Sequence, residues 1–284
     1  MSWAEWQTIA TGLAFPEAPR WRDDRLYVSE IFGGRVVAID ERGAVDVVVE
    51  LPGRRPSGLG WRRDGSMLVV SMQERQVLRS VDGGALEEVA DLSALVDGDT
   101  NDMLVDGRGN AYVGSFGYDY AAGEERRAAV LVLVDALGNA SVVADDVWFP
   151  NGMAITADGR TLLLAETPAE RITAFTIGDD GLLSDRHVFA ALDGARPDGI
   201  ALDAEGAVWV ASPGTGELLR VAEGGAVLAG GPAPHGMAQA CALGGPDGRT
   251  LFACCSPSHD PAEAAEGRSL ITATRVEIPG ADFA

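Results

Sequence analysis

The chain reads as an all-β, six-bladed β-propeller, and three observations predict it. One phrase recurs six times: a polar residue, a small residue and an apolar one, then a turn carrying a charge or Gly, then a strand ending in Ser, Ala, Glu or Cys. The copies open at Glu17, Ser57, Asn101, Asn151, Asp198 and His235, at spacings of 40, 44, 50, 47 and 37 residues. Helical periodicity is nearly absent, with room for a single turn over residues 261–267. Four short strands per period of roughly 40–45 residues is the pattern of a propeller blade, whereas a linear β-solenoid, the runner-up, has shorter repeats. One domain is expected to span residues 1–284.

Each copy supplies the inner strand pair of a blade. In the fourth, residues 152–156 and 161–165 flank Asp158-Gly159, a hairpin signal because Gly adopts positive φ without steric cost. Asp64-Gly65, Asp106-Gly107, Glu205-Gly206 and Asp247-Gly248 repeat the device, and Asp23-Asp24 is its weaker form in the first copy. Outer pairs follow at 35–40 with 45–50, 76–79 with 86–89, 129–134 with 140–144, 172–177 with 187–189, and 217–221 with 226–229. The last copy lacks a fourth strand, so residues 7–10 are expected to pair with residues 270–278 and close the ring, removing both exposed edges.

Composition narrows the function. Lys and Arg number 22 against 43 Asp and Glu, a net charge of −21, which repels nucleic acid and anionic membrane. No apolar run of about 18 residues could cross a bilayer, and Met1-Ser2-Trp3-Ala4-Glu5-Trp6 is unlike a signal peptide. A cytoplasmic monomer or homodimer is expected. Cys241, Cys254 and Cys255 read as buried reduced thiols, with Cys254 and Cys255 on opposite faces of one strand.

In a propeller the first strand of each blade lines the axial channel, so the six opening residues face one another at one mouth. Two carboxylates and two amides converging there are costly to desolvate without a partner. A hard cation taking oxygen ligands resolves that cost. An Asn or Asp before Gly also forms turns unaided, but Glu17 in Pro16-Glu17-Ala18-Pro19 is held stiffly between two prolines. Calcium is the expected ion, with magnesium, manganese and iron(II) as alternatives; zinc is disfavoured because there are only three His and no His or Cys pair at ligand spacing.

At these residues the chain resembles the regucalcin and gluconolactonase family, which includes senescence marker protein and luciferin-regenerating enzyme. The resemblance is carried by residues 12–21 (Gly-Leu-Ala-Phe-Pro-Glu-Ala-Pro-Arg-Trp), Thr100-Asn101-Asp102, Pro150-Asn151-Gly152-Met153-Ala154 and residues 197–203, with residues 237–248 similar to the final blade. It implies a six-bladed propeller, metal ligands at Glu17, Asn151 and Asp198, a substrate contact at Asn101, and hydrolysis of sugar or other small lactones. It also implies Asp198 as general base. A carboxylate bound to a dication is a poor base, so either one Asp198 oxygen stays free or Asp102 moves the proton.

Ser57 is expected to orient the ester oxygen or a water with Asn101, and His235 to reach substrate from the rim. Phe116, Tyr118, Trp148 and Phe149 are expected to form an apolar wall at the mouth, unless they are simply core. Sugar-lactone members often carry Arg two residues before the substrate Asn. Asp99 stands there instead, which disfavours anionic substrates and makes a neutral, more apolar lactone the expectation. No Gly-x-Ser-x-Gly motif suggests a serine esterase. A calcium- or ligand-binding propeller without catalysis, a protein-interaction propeller, and a phosphotriesterase on the same site are the alternatives.

Overall fold

The structure is a computed structural model describing residues 5–81 and 84–281; residues 1–4, part of the signal-peptide reading, lie outside that range. It contains six four-stranded antiparallel sheets. The first blade is β2 (Pro16–Arg22), β3 (Arg25–Glu30), β4 (Arg35–Ile39) and β5 (Val45–Glu50). The second begins with β6 (Pro56–Trp61), the third with β10 (Thr100–Val105), the fourth with β14 (Pro150–Ile155) and the fifth with β18 (Ile200–Leu202). These innermost strands pack on one another around a closed ring, β2 on β6, then β10, β14, β18, β22 (Met237–Gly244) and back to β2.

The ends meet as expected. β1 (Gln7–Leu13) pairs antiparallel with β24 (Ser269–Arg275), from Gln7 opposite Ala273 to Leu13 opposite Ser269, and completes the sixth blade outside β23 (Thr250–Ser256) and β22. Both termini are thereby held by ladder hydrogen bonds, and no open array edge is left.

Alternation along each strand sends apolar side chains to both faces of a blade, so the core is divided into slabs between neighbouring blades. Leu162, Leu164 and Met153 pack with Leu131 and Tyr112 between the third and fourth blades, and Leu26, Val28 and Val37 pack with Cys254 and Ile271 between the first and sixth. Cys254 and Cys255 do face opposite slabs, and all three thiols are free and buried. Near the axis the inner strands approach so closely that side chains are excluded. A Cβ on Gly58 would lie 2.2 Å from the Met103 backbone nitrogen, and one on Gly199 2.5 Å from the Ala240 Cα. This explains the small second residue of the repeated phrase.

The turns carry one correction. Gly65, Gly159, Gly206 and Gly248 all have positive φ, and an Asp side chain braces several of the turns, as where Asp64 Oδ1 accepts the Ser66 N–H. In the third blade the positive-φ residue is Gly109, at 92°, and not Gly107, because the closing pair is Asp106 with Asn110. Asp23 and Asp24 both take positive φ in a two-residue hairpin between Arg22 and Arg25, the geometry such a short loop demands. The expected helical turn is α1, Pro261–Ala264, capped by the Asp260 carboxylate on the Ala262 N–H at 2.8 Å. No described helix is long and apolar enough to cross a membrane.

Candidate active site at the channel mouth

Five of the six expected residues converge. Glu17, Ser57, Asn101, Asn151 and Asp198 sit at the same end of successive inner strands and are all buried. Inter-blade hydrogen bonds put them in register: Gly152 N–H donates to the Asp198 carbonyl at 3.1 Å, and Ser57 Oγ donates to the Asn101 carbonyl at 2.6 Å.

His235 does not join them. It is exposed ahead of β22, and Gln239, fully buried, occupies the sixth place. The Gln239 carbonyl accepts from Gly199 N–H at 2.8 Å as the Asp198 carbonyl does from Gly152, and its Nε2 donates to the Pro16 carbonyl at 3.0 Å and to Ser256 Oγ at 2.7 Å. A signal for it exists in the sequence. The positive-φ turn glycine follows Ser57, Asn101, Asn151 and Asp198 by eight residues each, and Gly248 follows Gln239 by nine but His235 by thirteen. The His-Gly-Met likeness to Asn-Gly-Met hid this offset.

The amides are fixed by their partners. Asn151 Nδ2 donates to Thr167 Oγ1 at 3.2 Å, and Thr167 Oγ1 donates to the Pro197 carbonyl at 2.7 Å. Asn101 Nδ2 donates to Asn151 Oδ1 at 3.2 Å and reaches the Pro150 carbonyl at 3.4 Å. The oxygen of Asn151 thus accepts from Asn101, while its nitrogen is tied to Thr167 and its side chain also hydrogen-bonds the Asp198 carboxylate. Thr167 belongs to a short 3-10 turn, Thr167–Ala169, that the repeat pattern gave no sign of.

Charge is concentrated here. Burial first, then the charges of Asp198 and Asp102, push the Glu17 carboxyl well above the usual carboxylate range, against the Ala18 amide and Arg20. Burial and then Asp102 do the same to Asp198, against the Asn151 side chain. Asp102 is also raised by burial, and Arg20 draws it back. The Arg20 guanidinium, on β2 below Glu17, donates to the Pro19 and Met103 carbonyls, each at 2.9 Å. Burial lowers its own pKa, while Asp102 and Glu17 favour its charge. Sequence reasoning had no role for it.

The donor set suits a hard cation. Two carboxylates and an oriented amide oxygen are the chemistry of a calcium-type site, and their mutual repulsion is what such an ion relieves. Among the described residues no three His, Cys, Asp or Glu side chains gather closely enough to hold a metal.

The rim lies two residues before each ring position. Phe15, Arg55, Asp99, Phe149 and Arg196 stand there in the first five blades. Phe149 stacks on Phe116 with centroids 4.3 Å apart and planes 10° off parallel, and both rings touch Tyr120. Tyr118 packs behind on Phe149 and Tyr120. Phe116, Tyr118, Tyr120 and Phe149 therefore form one aromatic cluster, and Trp148 takes no part in its ring contacts; its backbone N–H is held by the buried Glu166 carboxylate at 2.8 Å. Asp99 is half-buried, and its backbone carbonyl accepts from Phe116 N–H at 2.9 Å. A cavity of about 260 Å³ opens at the opposite end of the first and sixth blades, beside Trp21 and Phe252, and contains none of the ring residues.

Residues 15–256 match the SMP-30/Gluconolactonase/LRE-like region. The chain is 30% identical over 273 residues to 6-deoxy-6-sulfogluconolactonase of Pseudomonas putida, covering 93% of this chain and 92% of that one. It is 30% identical over 269 residues to pentonolactonase XacC of Haloferax volcanii, covering 92% and 88%. The crystal structure of a calcium-binding protein, regucalcin, from Agrobacterium tumefaciens superposes with a TM-score of 0.82 at 23% identity over 98% of this chain and 95% of that one. With residues 15–256 matched, the chain belongs to the SMP-30/Gluconolactonase/LRE-like family.

Proposed function

We propose that this propeller is a lactonase: water adds to the carbonyl carbon of a small lactone, the ring C–O bond breaks, and a hydroxy acid leaves. The observation that supports the reading is the burial of the Glu17 and Asp198 carboxylates close together beside the Asn151 amide, with Asn101 hydrogen-bonded into the same set. The lactonases among its relatives support it.

Glu17, Asn151 and Asp198 would hold a divalent cation, calcium by the chemistry of the donors. When bound, that ion supplies Lewis acidity that polarises the lactone carbonyl and activates water. The protein's own groups orient and move the proton. Asp198, whose buried carboxyl is held well above the ordinary range, would accept the proton. Asp102 has its charge committed to Arg20 and steadies the site electrostatically. Asn101 presents its amide to the lactone. Ser57 acts one step removed, because its hydroxyl is spent on the Asn101 carbonyl and so fixes that strand.

The test is a screen of lactones of varied ring size and polarity with calcium, magnesium, manganese, zinc and iron(II), on wild type, Asp198→Asn and Asp102→Asn. The expected result is turnover that chelator abolishes, lost in Asp198→Asn with ion binding retained, and reduced less in Asp102→Asn. No hydrolysis of any lactone with any ion would overturn the reading.

A further inference from the structure

The rim carries information about substrate that the ring does not. Phe149 stands at φ 47° and Phe15 at φ 60°, left-handed conformations that are costly for bulky residues and persist where surrounding structure imposes them. Each is two residues before a candidate ion ligand, Asn151 and Glu17. At Phe149 the strained backbone sets the ring flat against Phe116, and Tyr120, 58% exposed, extends the surface outward. The Phe116 N–H donates to the carbonyl of Asp99, two residues before Asn101 of the ring, and Phe149 stands two residues before Asn151, so the aromatic cluster joins the chain next to two ring positions.

The rim charges, by contrast, are answered locally. Arg55 lies over the Phe32 ring, 5.2 Å from its centroid, and its charge opposes the burial that raises the Asp99 carboxyl. Arg196 stands 3.6 Å from the Glu170 carboxylate. Both cations thus have a partner, and of the aromatic cluster Tyr120 is exposed while Phe116 and Phe149 are partly so.

We propose that Phe116, Phe149 and Tyr120 form the subsite for an apolar, ring-bearing substituent, so that the substrate is a neutral lactone carrying an aryl or cyclic hydrocarbon group and not a polyhydroxylated sugar lactone. The reaction assumed is the lactonase chemistry above; the subsite itself rests on the rim geometry.

Three lactones with the same six-membered ring test it: δ-phenyl-δ-valerolactone, δ-valerolactone and glucono-δ-lactone. Wild type is expected to favour the phenyl compound. Phe149→Gly, which suits the left-handed backbone, and Tyr120→Ala, on the surface, are expected to lower kcat/KM for it by roughly tenfold to fiftyfold, mostly through KM, as loss of a buried aromatic contact implies. The loss on δ-valerolactone should be several-fold smaller. Equal losses on both, or a wild-type preference for glucono-δ-lactone, would overturn the subsite. Saturation-transfer NMR of the phenyl protons reads binding without turnover. Phenyl binding that needs Phe149, with no hydrolysis, supports the subsite and removes the lactonase reading; hydrolysis indifferent to Phe149 does the reverse.

Discussion

The Arg20 guanidinium of the first blade donates to the Met103 carbonyl of the third at 2.9 Å, a bond that passes over the second blade and ties two inner strands together beneath the acidic ring. Its other bonded nitrogen satisfies the Pro19 carbonyl, and Asp102 and Glu17 supply the countercharge. Arg20→Met should therefore strand two carbonyls and leave Asp102 without its cation. Removing one partner of such a buried set costs about 3–5 kcal/mol, measurable by urea unfolding. Arg20→Met with Asp102→Asn should recover part of that loss, and a double-mutant cycle with no coupling would show that Arg20 is only packing.

The ion-free protein should be more stable in acid than at neutral pH within the range where the fold survives. Burial raises the folded-state pKa values of Glu17 and Asp198; the charges of Asp198 and then Asp102 add to the rise at Glu17, where Arg20 opposes it, and Asp102 adds to the rise at Asp198. A raised carboxyl binds more protons folded than unfolded above the ordinary value of about 4, so its stability contribution is present below that value and is lost as pH rises through the folded pKa. Tm in chelator should rise as pH is lowered from neutral toward the ordinary carboxyl range. Calcium should flatten that slope by stabilising the charged form, and Glu17→Gln should flatten it without calcium. A chelator-independent Tm would argue against ion binding.

Gln239 and His235 make opposite predictions. His235→Ala alters an exposed side chain and should change stability by less than about 0.5 kcal/mol. Gln239→Ala removes the donor serving the Pro16 carbonyl and Ser256 Oγ in a fully buried site, and should cost about 1–3 kcal/mol. Chemical denaturation of the two variants decides which residue closes the ring.

The architecture was legible because the blade repeat is written locally. The turn glycines, the Gly or Ala after five of the six ring positions and the alternation within strands follow from backbone sterics, which sequence states directly. Glu17, Asn151 and Asp198 were legible for the same reason: Pro fixes the approach and the strand fixes the direction. Gln239 was missed because one blade carries a longer inner hairpin, and a copied phrase outweighed a counted distance. Arg20 and Thr167 were missed because their roles depend on contacts between blades, to Met103 in one case and to Asn151 and Pro197 in the other. Trp148 lay beside Phe149 in the chain, but neighbouring residues need not share a face, and only Phe149 met Phe116.

Asp99 sets the sign of the rim. Its half-buried carboxylate sits near Arg55, and together they present little net charge to an entering lactone. Asp99→Asn keeps the shape and removes the anion, leaving Arg55 above Phe32 as an uncompensated cation. Lactones bearing a carboxylate should then bind better, with KM falling about threefold to tenfold at low salt, the scale of one partly screened charge pair. Raising the ionic strength should erase most of the gain, because the Debye length shrinks to about 3 Å at 1 M salt. A neutral lactone should respond much less to either change. If the anionic and neutral lactones shift together, Asp99 acts by shaping the loop through its backbone bond to Phe116 and not by its charge.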